Sequence, residues 1–327
     1  MALDLAIATI LSPVVLFFVL GLAAALARSD MSIPEAFAKG IAIYLMMAIG
    51  LKGGFEMAKS GLNLEIVGVM IAGVLLSFTL PLIAFALLRA TTRLERIDAA
   101  AVAAHYGSIS IVTFVAATQA LEVAGLQSSG YLVAVAALME TPAIITALLL
   151  YGRGRKKEAA VAGSQQGDLM REVALNASVV VLVGALVVGW ITGERGEAQV
   201  TAFFMTPLQG VLCLFLLDMG LAAGRGLRQG WRALQPSTIA FGIYMPLIGA
   251  SLAALCAFVL RMPPGDTALL ITLSASASYI AVPAAMRLAL PQAKPSIYLT
   301  LSLGVTFPFN LTIGIPTYVV IAQFISG

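Results

Sequence analysis

The feature that most constrains this chain is a succession of apolar runs about 20 residues long, the length a helix needs to cross roughly 30 Å of hydrocarbon. Ten such runs, bounded by charge or turn residues, cover 5–27, 36–51, 63–88, 98–121, 128–151, 172–192, 203–221, 237–260, 266–289 and 296–325. Hydrophobic residues fill 60% of the 327 positions and charged residues 11%, with a mean hydropathy of +1.00. A soluble domain carries roughly 25% charged residues, so a soluble enzyme and a disordered chain are both excluded. The pattern predicts an all-α polytopic membrane protein with ten transmembrane helices. The first run has no basic residues ahead of it and reads as a permanent helix rather than a cleaved signal. Cys213 and Cys256 lie inside apolar runs and read as core residues, not as a disulfide framework.

Charge placement orients the runs. Of the 19 basic residues, 15 fall in the connections after runs 1, 3, 5, 7 and 9. Only Lys52, Lys59, Arg195 and Arg261 fall on the other side. Basic loops stay in the cytoplasm. Both termini are therefore expected outside a plasma (inner) membrane, and the central loop inside. The net charge of +3 is too small to argue for nucleic acid. The loop at 152–171, with Arg153-Gly154-Arg155-Lys156-Lys157 followed by a small polar stretch, reads as a linker on anionic headgroups or as a docking site for a cytoplasmic partner.

The chain also repeats itself. Ser12 to Leu16 matches Ser178 to Leu182, and Ile49-Gly50-Leu51 with Gly54 matches Met219-Gly220-Leu221 with Gly224. Pro81-Leu82-Ile83 matches Pro246-Leu247-Ile248, Asp98 through Ser110 matches Asp266 through Ser278, and Pro142 with Thr146 matches Pro308 with Thr312. The offsets all lie between 165 and 170. Two homologous halves, 1–151 and 172–327, each with an odd number of spans, must lie in the membrane with opposite orientation. Inverted five-helix repeats of this kind belong to secondary transporters, whose substrate sites lie near the midplane at the repeat interface.

Runs 4 and 9 are expected to be broken helices. Their centres are small and hydroxylated: Gly107-Ser108-Ile109-Ser110 with Thr113, and Ser274-Ala275-Ser276-Ala277-Ser278 before Pro283. Such residues compete with the helical ladder, and proline interrupts it. Each second half, starting near Thr113 or Val282, would present free N–H groups and a positive dipole end. Two such ends facing each other would hold a small anion, with the serine hydroxyls as neutral donors.

Glu140, deep in run 5, is the costliest ionisable residue in the chain, and at that depth marks an ion or proton pathway. With carbonyls freed around Pro142 and run 4, it is the candidate Na⁺ site. The matching region of run 10 offers the neutral oxygens of Thr306, Asn310 and Thr312. Glu140, Thr141 and Asn310 are thus the candidate cation ligands, and no other metal site is expected. His105, the only histidine, reads as a structural hydrogen-bonding residue. Lys52 and Glu56 read as a solvated pair, and Met46 and Met47 as packing. The sequence lacks motifs for nucleophilic catalysis, a zinc protease helix or a Walker A loop, so neither an enzyme nor an ATP-driven pump is expected.

Several of these segments resemble the sodium-dependent bicarbonate transporter family (SbtA-like). The resemblance rests on Ile33-Pro34-Glu35-Ala36, Ile49-Gly50-Leu51-Lys52-Gly53-Gly54, Gly107 with Ser110 and Thr113, Met139-Glu140-Thr141-Pro142-Ala143, Pro291 through Tyr298, and Gly314-Ile315-Pro316. It implies a five-plus-five inverted-repeat fold, outward termini, a homotrimer, and Na⁺-coupled bicarbonate symport by a moving broken-helix unit. Na⁺ would be the coupling ion, and no organic cofactor is implied. A PII-like cytoplasmic regulator is a further partner the resemblance allows. Bicarbonate would be held by Gly107, Ser108, Ser110 and Thr113 on one side and by Ser274, Ser276, Ser278 and Tyr279 on the other. Family members carry Asp-Ile-Ser-Gly where this chain has Tyr279-Ile280-Ala281-Val282, so the site here is less polar. Two alternatives follow: a Na⁺- or H⁺-coupled carrier of another small or organic anion, and a non-transporting membrane receptor or subunit with a degenerate site.

Overall fold

The computed structural model describes residues 11–61, 63–152, 177–230, 234–279 and 281–326, and among them every regular element is helical. The helices are α1 (Pro13–Leu26), α2 (Glu35–Ser60), α3 (Leu64–Thr91), α4 (Arg96–Gly107), α5 (Ile111–Val123) and α6 (Tyr131–Gly152). They continue as α7 (Ala177–Phe204), α8 (Leu208–Gly230), α9 (Pro236–Val259), α10 (Pro264–Ala275), α11 (Ala281–Ala289) and α12 (Pro295–Ser326). The linker at 153–171 and the start of the sixth run lie outside the described residues.

Among the described residues, seven segments, counting Arg96–Val123 as one, are long and apolar enough to cross a membrane. The other expected runs are shorter or interrupted. α1 is a shorter apolar helix. α7 is bent at Gly193, whose φ of 53° suits glycine. The ninth run is divided between α10 and α11. Several helices also outlast their apolar runs. α2 continues through Lys52, Glu56 and Lys59, because a helix leaving hydrocarbon keeps its backbone bonds while its side chains turn polar.

Two helix pairs pack along most of their length, α1 against α8 and α2 against α7. Both depend on glycine at the crossing. A Cβ on Gly220 would stand 2.1 Å from the Phe18 carbonyl, and one on Gly54 would stand 2.1 Å from that of Leu186. Small residues let backbones approach this closely where there is no hydrophobic drive between helices. The remaining helices form a second group. α4 packs against α3 and α6, and α10 packs in the corresponding way against α9 and α12.

Side-chain bonds repeat across this second group. Ser77 of α3 donates to the Met139 carbonyl of α6, and Thr306 of α12 donates to the Gly242 carbonyl of α9. Thr146 back-bonds to the Pro142 carbonyl at 2.9 Å, and Thr312 to that of Pro308 at 2.7 Å. These are the prolines and threonines that match in sequence. Around Pro308, α12 widens into two π-turns, Ser302–Thr306 and Asn310–Gly314, as helices do where a donor is missing.

α3 carries Val67, Ile71, Leu75, Phe78 and Leu82 on an exposed apolar face, spaced at three or four residues. α4 from Asp98 to Gly107 and α10 from Gly265 to Ala275 are buried at every position. The broken segments therefore occupy the centre, where unwound backbone can be satisfied by protein instead of lipid.

Candidate ion and anion site at two crossing chain breaks

Both interruptions fall where the sequence places them. α4 stops at Gly107, and Ser108-Ile109-Ser110 are extended before α5 begins at Ile111. α10 stops at Ala275, and the chain is non-helical from Ser276 to Tyr279 before α11 resumes at Ala281. Pro283 sits in the first turn of α11, where its missing N–H costs nothing. Gly107 is held by close packing: a Cβ there would lie 2.2 Å from Pro81. On the other side Gly249 has the same relation to the Ser274 carbonyl, also 2.2 Å.

The two breaks meet and bond to each other. The Ser110 N–H donates to the Ser276 hydroxyl at 2.9 Å, and that hydroxyl donates to the Leu273 carbonyl at 2.7 Å. The Ser278 N–H donates to the His105 carbonyl at 2.8 Å. His105 Nδ1 pairs with the Ser278 carbonyl, and its ring stacks on Tyr298 at 4.8 Å. Ser110 also caps α5, accepting from the Thr113 N–H at 3.2 Å. The expectation of freely presented amides is thus corrected in part: Ser110, Thr113 and Ser278 each give their N–H to protein. A buried unpaired donor costs about 1–3 kcal/mol, and the crossing spares the chain that cost.

Several buried polar atoms at the crossing have no hydrogen-bond partner among the described residues. They are Ser108 Oγ, Ser274 Oγ, His105 Nε2 and Glu140 Oε2. The Tyr279 hydroxyl faces Ser110 without a well-formed hydrogen bond. Such atoms are rare in folded interiors. Glu140, Ser110, Ser278 and Tyr279 line one cavity with Met46 and Ile111. Its volume is about 10 Å³, room for a single water-sized species.

The predicted residues thus separate into two groups. Ser110, Ser276, Ser278, Tyr279 and Glu140 come together at the crossing, while Gly107 packs against Pro81. Asn310 is not among the residues lining the cavity. Its amide donates to the Ala275 carbonyl at 2.8 Å and accepts from the Tyr318 hydroxyl at 2.9 Å, so it fixes the end of α10. The Thr141 side chain lies outside the described residues. Met46 was expected only to pack, yet it brings α2 to the cavity wall; an apolar residue that lines a site gives no signal of its own in a chain this apolar.

Each break is held at its distal end by an aspartate. Asp98, in the first turn of α4, accepts the Lys294 N–H at 2.8 Å. Asp266, at the matching position of α10, accepts the Ser129 N–H at 2.6 Å and the Tyr131 hydroxyl at 2.8 Å. Both carboxylates are buried, with 2% exposure. Each therefore ties its half-helix to the loop before the last span of the other half. The Lys294 ammonium lies 3.2 Å from Glu95 and 3.6 Å from Asp98, and these carboxylates hold its pKa above the ordinary lysine value.

Apolar helices long enough to span, around a buried polar crossing of interrupted chain, are those of a multi-pass membrane protein. The profile of the Na⁺-dependent bicarbonate transporter superfamily matches residues 13–323, and the chain belongs to that superfamily. Among individually curated proteins, no match is found.

Proposed function

We propose that the chain is a secondary transporter that carries bicarbonate in symport with Na⁺ by alternating access. The observation that carries this reading is the crossing of the two breaks, where backbone amides, serine hydroxyls and a buried carboxyl with an unpaired oxygen converge. The paired packing of α1 with α8 and α2 with α7, and the recurring bonds around α4 and α10, support two inverted five-span halves. The charge asymmetry supports outward termini in the plasma membrane. The superfamily supports a transporter rather than an enzyme.

The anion takes the amides and hydroxyls of Ser110, Ser276 and Ser278, whose N–H groups now go to the Ser276 hydroxyl, the Leu273 carbonyl and the His105 carbonyl. A cavity of about 10 Å³ is too small for a four-heavy-atom anion, so loading must part the two breaks. The anion then replaces protein acceptors with its own oxygens, and little hydrogen bonding is lost. Na⁺ sits at Glu140, where its charge offsets both the carboxylate and the anion. Each ligand raises the affinity for the other, a linkage that favours the empty or doubly loaded carrier.

Uptake of labelled bicarbonate into proteoliposomes with and without a Na⁺ gradient tests this. Gradient-dependent uptake is expected, and equal uptake in both conditions rejects the coupling. Tyr279 and Ile111 in the cavity wall favour one second reading, a small organic monocarboxylate as cargo. Competition by a panel of anions separates the two.

A further inference from the structure

We propose that the groove between α2 and α5 is the outer access path to the crossing, and that Lys52 and Glu122 at its mouth receive the two cosubstrates. The inference rests on the transport reading above and adds a route and two residues to it.

A second cavity, of about 400 Å³, lies between α2, α5 and the turn that follows α5. Its wall on α2 is formed by Ile49, Lys52, Gly53 and Glu56, and on α5 by Phe114, Val115, Thr118 and Glu122. Residues three and four apart share one helix face. One turn further in on the same faces stand Met46 of α2 and Ser110 and Ile111 of α5, which line the small cavity at the crossing. The two cavities thus follow one another along a single α2–α5 groove. The buried Ile49 and Phe114 are the wall residues of the wide cavity nearest in sequence to Met46 and Ile111. The wide end is the side that the charge count assigns to the exterior.

Lys52 is the one basic side chain among the described residues lining the wide cavity. Its ammonium lies 3.5 Å from Glu122 across the groove, and both side chains are more than half exposed. An ion pair so open to solvent is weakly held. Glu122 is itself approached by the Gln119 amide at 3.3 Å, and Glu56 by Lys59 at 3.4 Å. The mouth therefore presents a cation for an arriving anion and carboxylates for an arriving Na⁺, each masking the other until one is engaged. Charges at a site entrance act on encounter, and their effect falls with ionic strength.

Two measurements test this. In a Cys213→Ala, Cys256→Ala background, Thr118→Cys should react with a membrane-impermeant thiol reagent applied from outside, and Val115→Cys more slowly. Reaction from the cytoplasmic side alone, or of neither position, overturns the path. In proteoliposomes at low salt, Lys52→Gln should raise the bicarbonate KM about threefold to tenfold at constant Vmax. Glu122→Gln should do the opposite, lowering the bicarbonate KM and raising the Na⁺ concentration for half-maximal uptake. Both shifts should shrink in high salt. Unchanged KM values in both variants overturn the role of the pair. Outside labelling in a protein that takes up no bicarbonate supports the path and overturns the substrate reading alone.

Discussion

The two halves of the molecule share a backbone plan and differ in chemistry. Glu140 of α6 and Thr306 of α12 stand at matching positions. Thr306 is saturated, donating to the Gly242 carbonyl and pairing with the Tyr106 hydroxyl. Glu140 keeps one buried oxygen without a partner and faces the cavity. The aspartate clasps differ too. Asp266 is held by neutral donors, Ser129 N–H and Tyr131, whereas Asp98 shares an exposed lysine with Glu95. Hydrogen bonds recur at these matched positions, while the carboxyl with an unpartnered oxygen stands on one side alone.

The largest effect should come from breaking the first contrast. Glu140→Gln removes the anionic ligand without changing shape, and Na⁺-stimulated bicarbonate uptake should fall at least about tenfold. Thr306→Val should retain Na⁺ stimulation and instead lower the melting temperature in detergent. Equal loss of stimulation in both variants would erase the distinction between them.

Next, Asp266→Ala leaves the Ser129 N–H and the buried Tyr131 hydroxyl without an acceptor. A cost of about 3–5 kcal/mol is expected, read as thermal destabilisation in detergent. Asp98→Asn keeps an acceptor for the Lys294 N–H and should cost only about 1 kcal/mol. Ser276→Ala deprives the Ser110 N–H of its acceptor and should cost about 1–3 kcal/mol while raising the bicarbonate KM. Smallest is Lys294→Gln, which should barely move the melting temperature, because exposed pairs contribute little. A Lys294→Gln loss as large as that of Asp266→Ala would show that the two clasps are not ranked by burial.

Much of this was legible in the sequence. Run length gave an all-helical chain, of which seven described segments are long and apolar enough to span, and serine clusters at matching places gave both breaks to within two residues at the restarts, Ile111 and Ala281. Asp98 and Asp266 could be seen to match, but not to reach across to Lys294 and Ser129, because nothing local links positions separated by more than 130 residues. Asn310 looked like a ligand by residue type, and only its two partners reveal it as a strut. Lys52 was read with Glu56, one turn away on its own helix, while the structure sets it against Glu122 of α5.

Hydropathy and small polar interruptions are one-dimensional, and they suffice to indicate which segments are helical, which are apolar enough to span and where the ladder fails. Who satisfies the exposed amides and carboxylates is a three-dimensional matter. In a water-poor interior an unpartnered polar group is costly, and with so many apolar neighbours alike, packing alone selects which groups are paired and which are left open. The tertiary structure therefore decided that the two breaks bond to each other, that Glu140 keeps an open oxygen, and that Lys52 stands against Glu122 beside a cavity between α2 and α5.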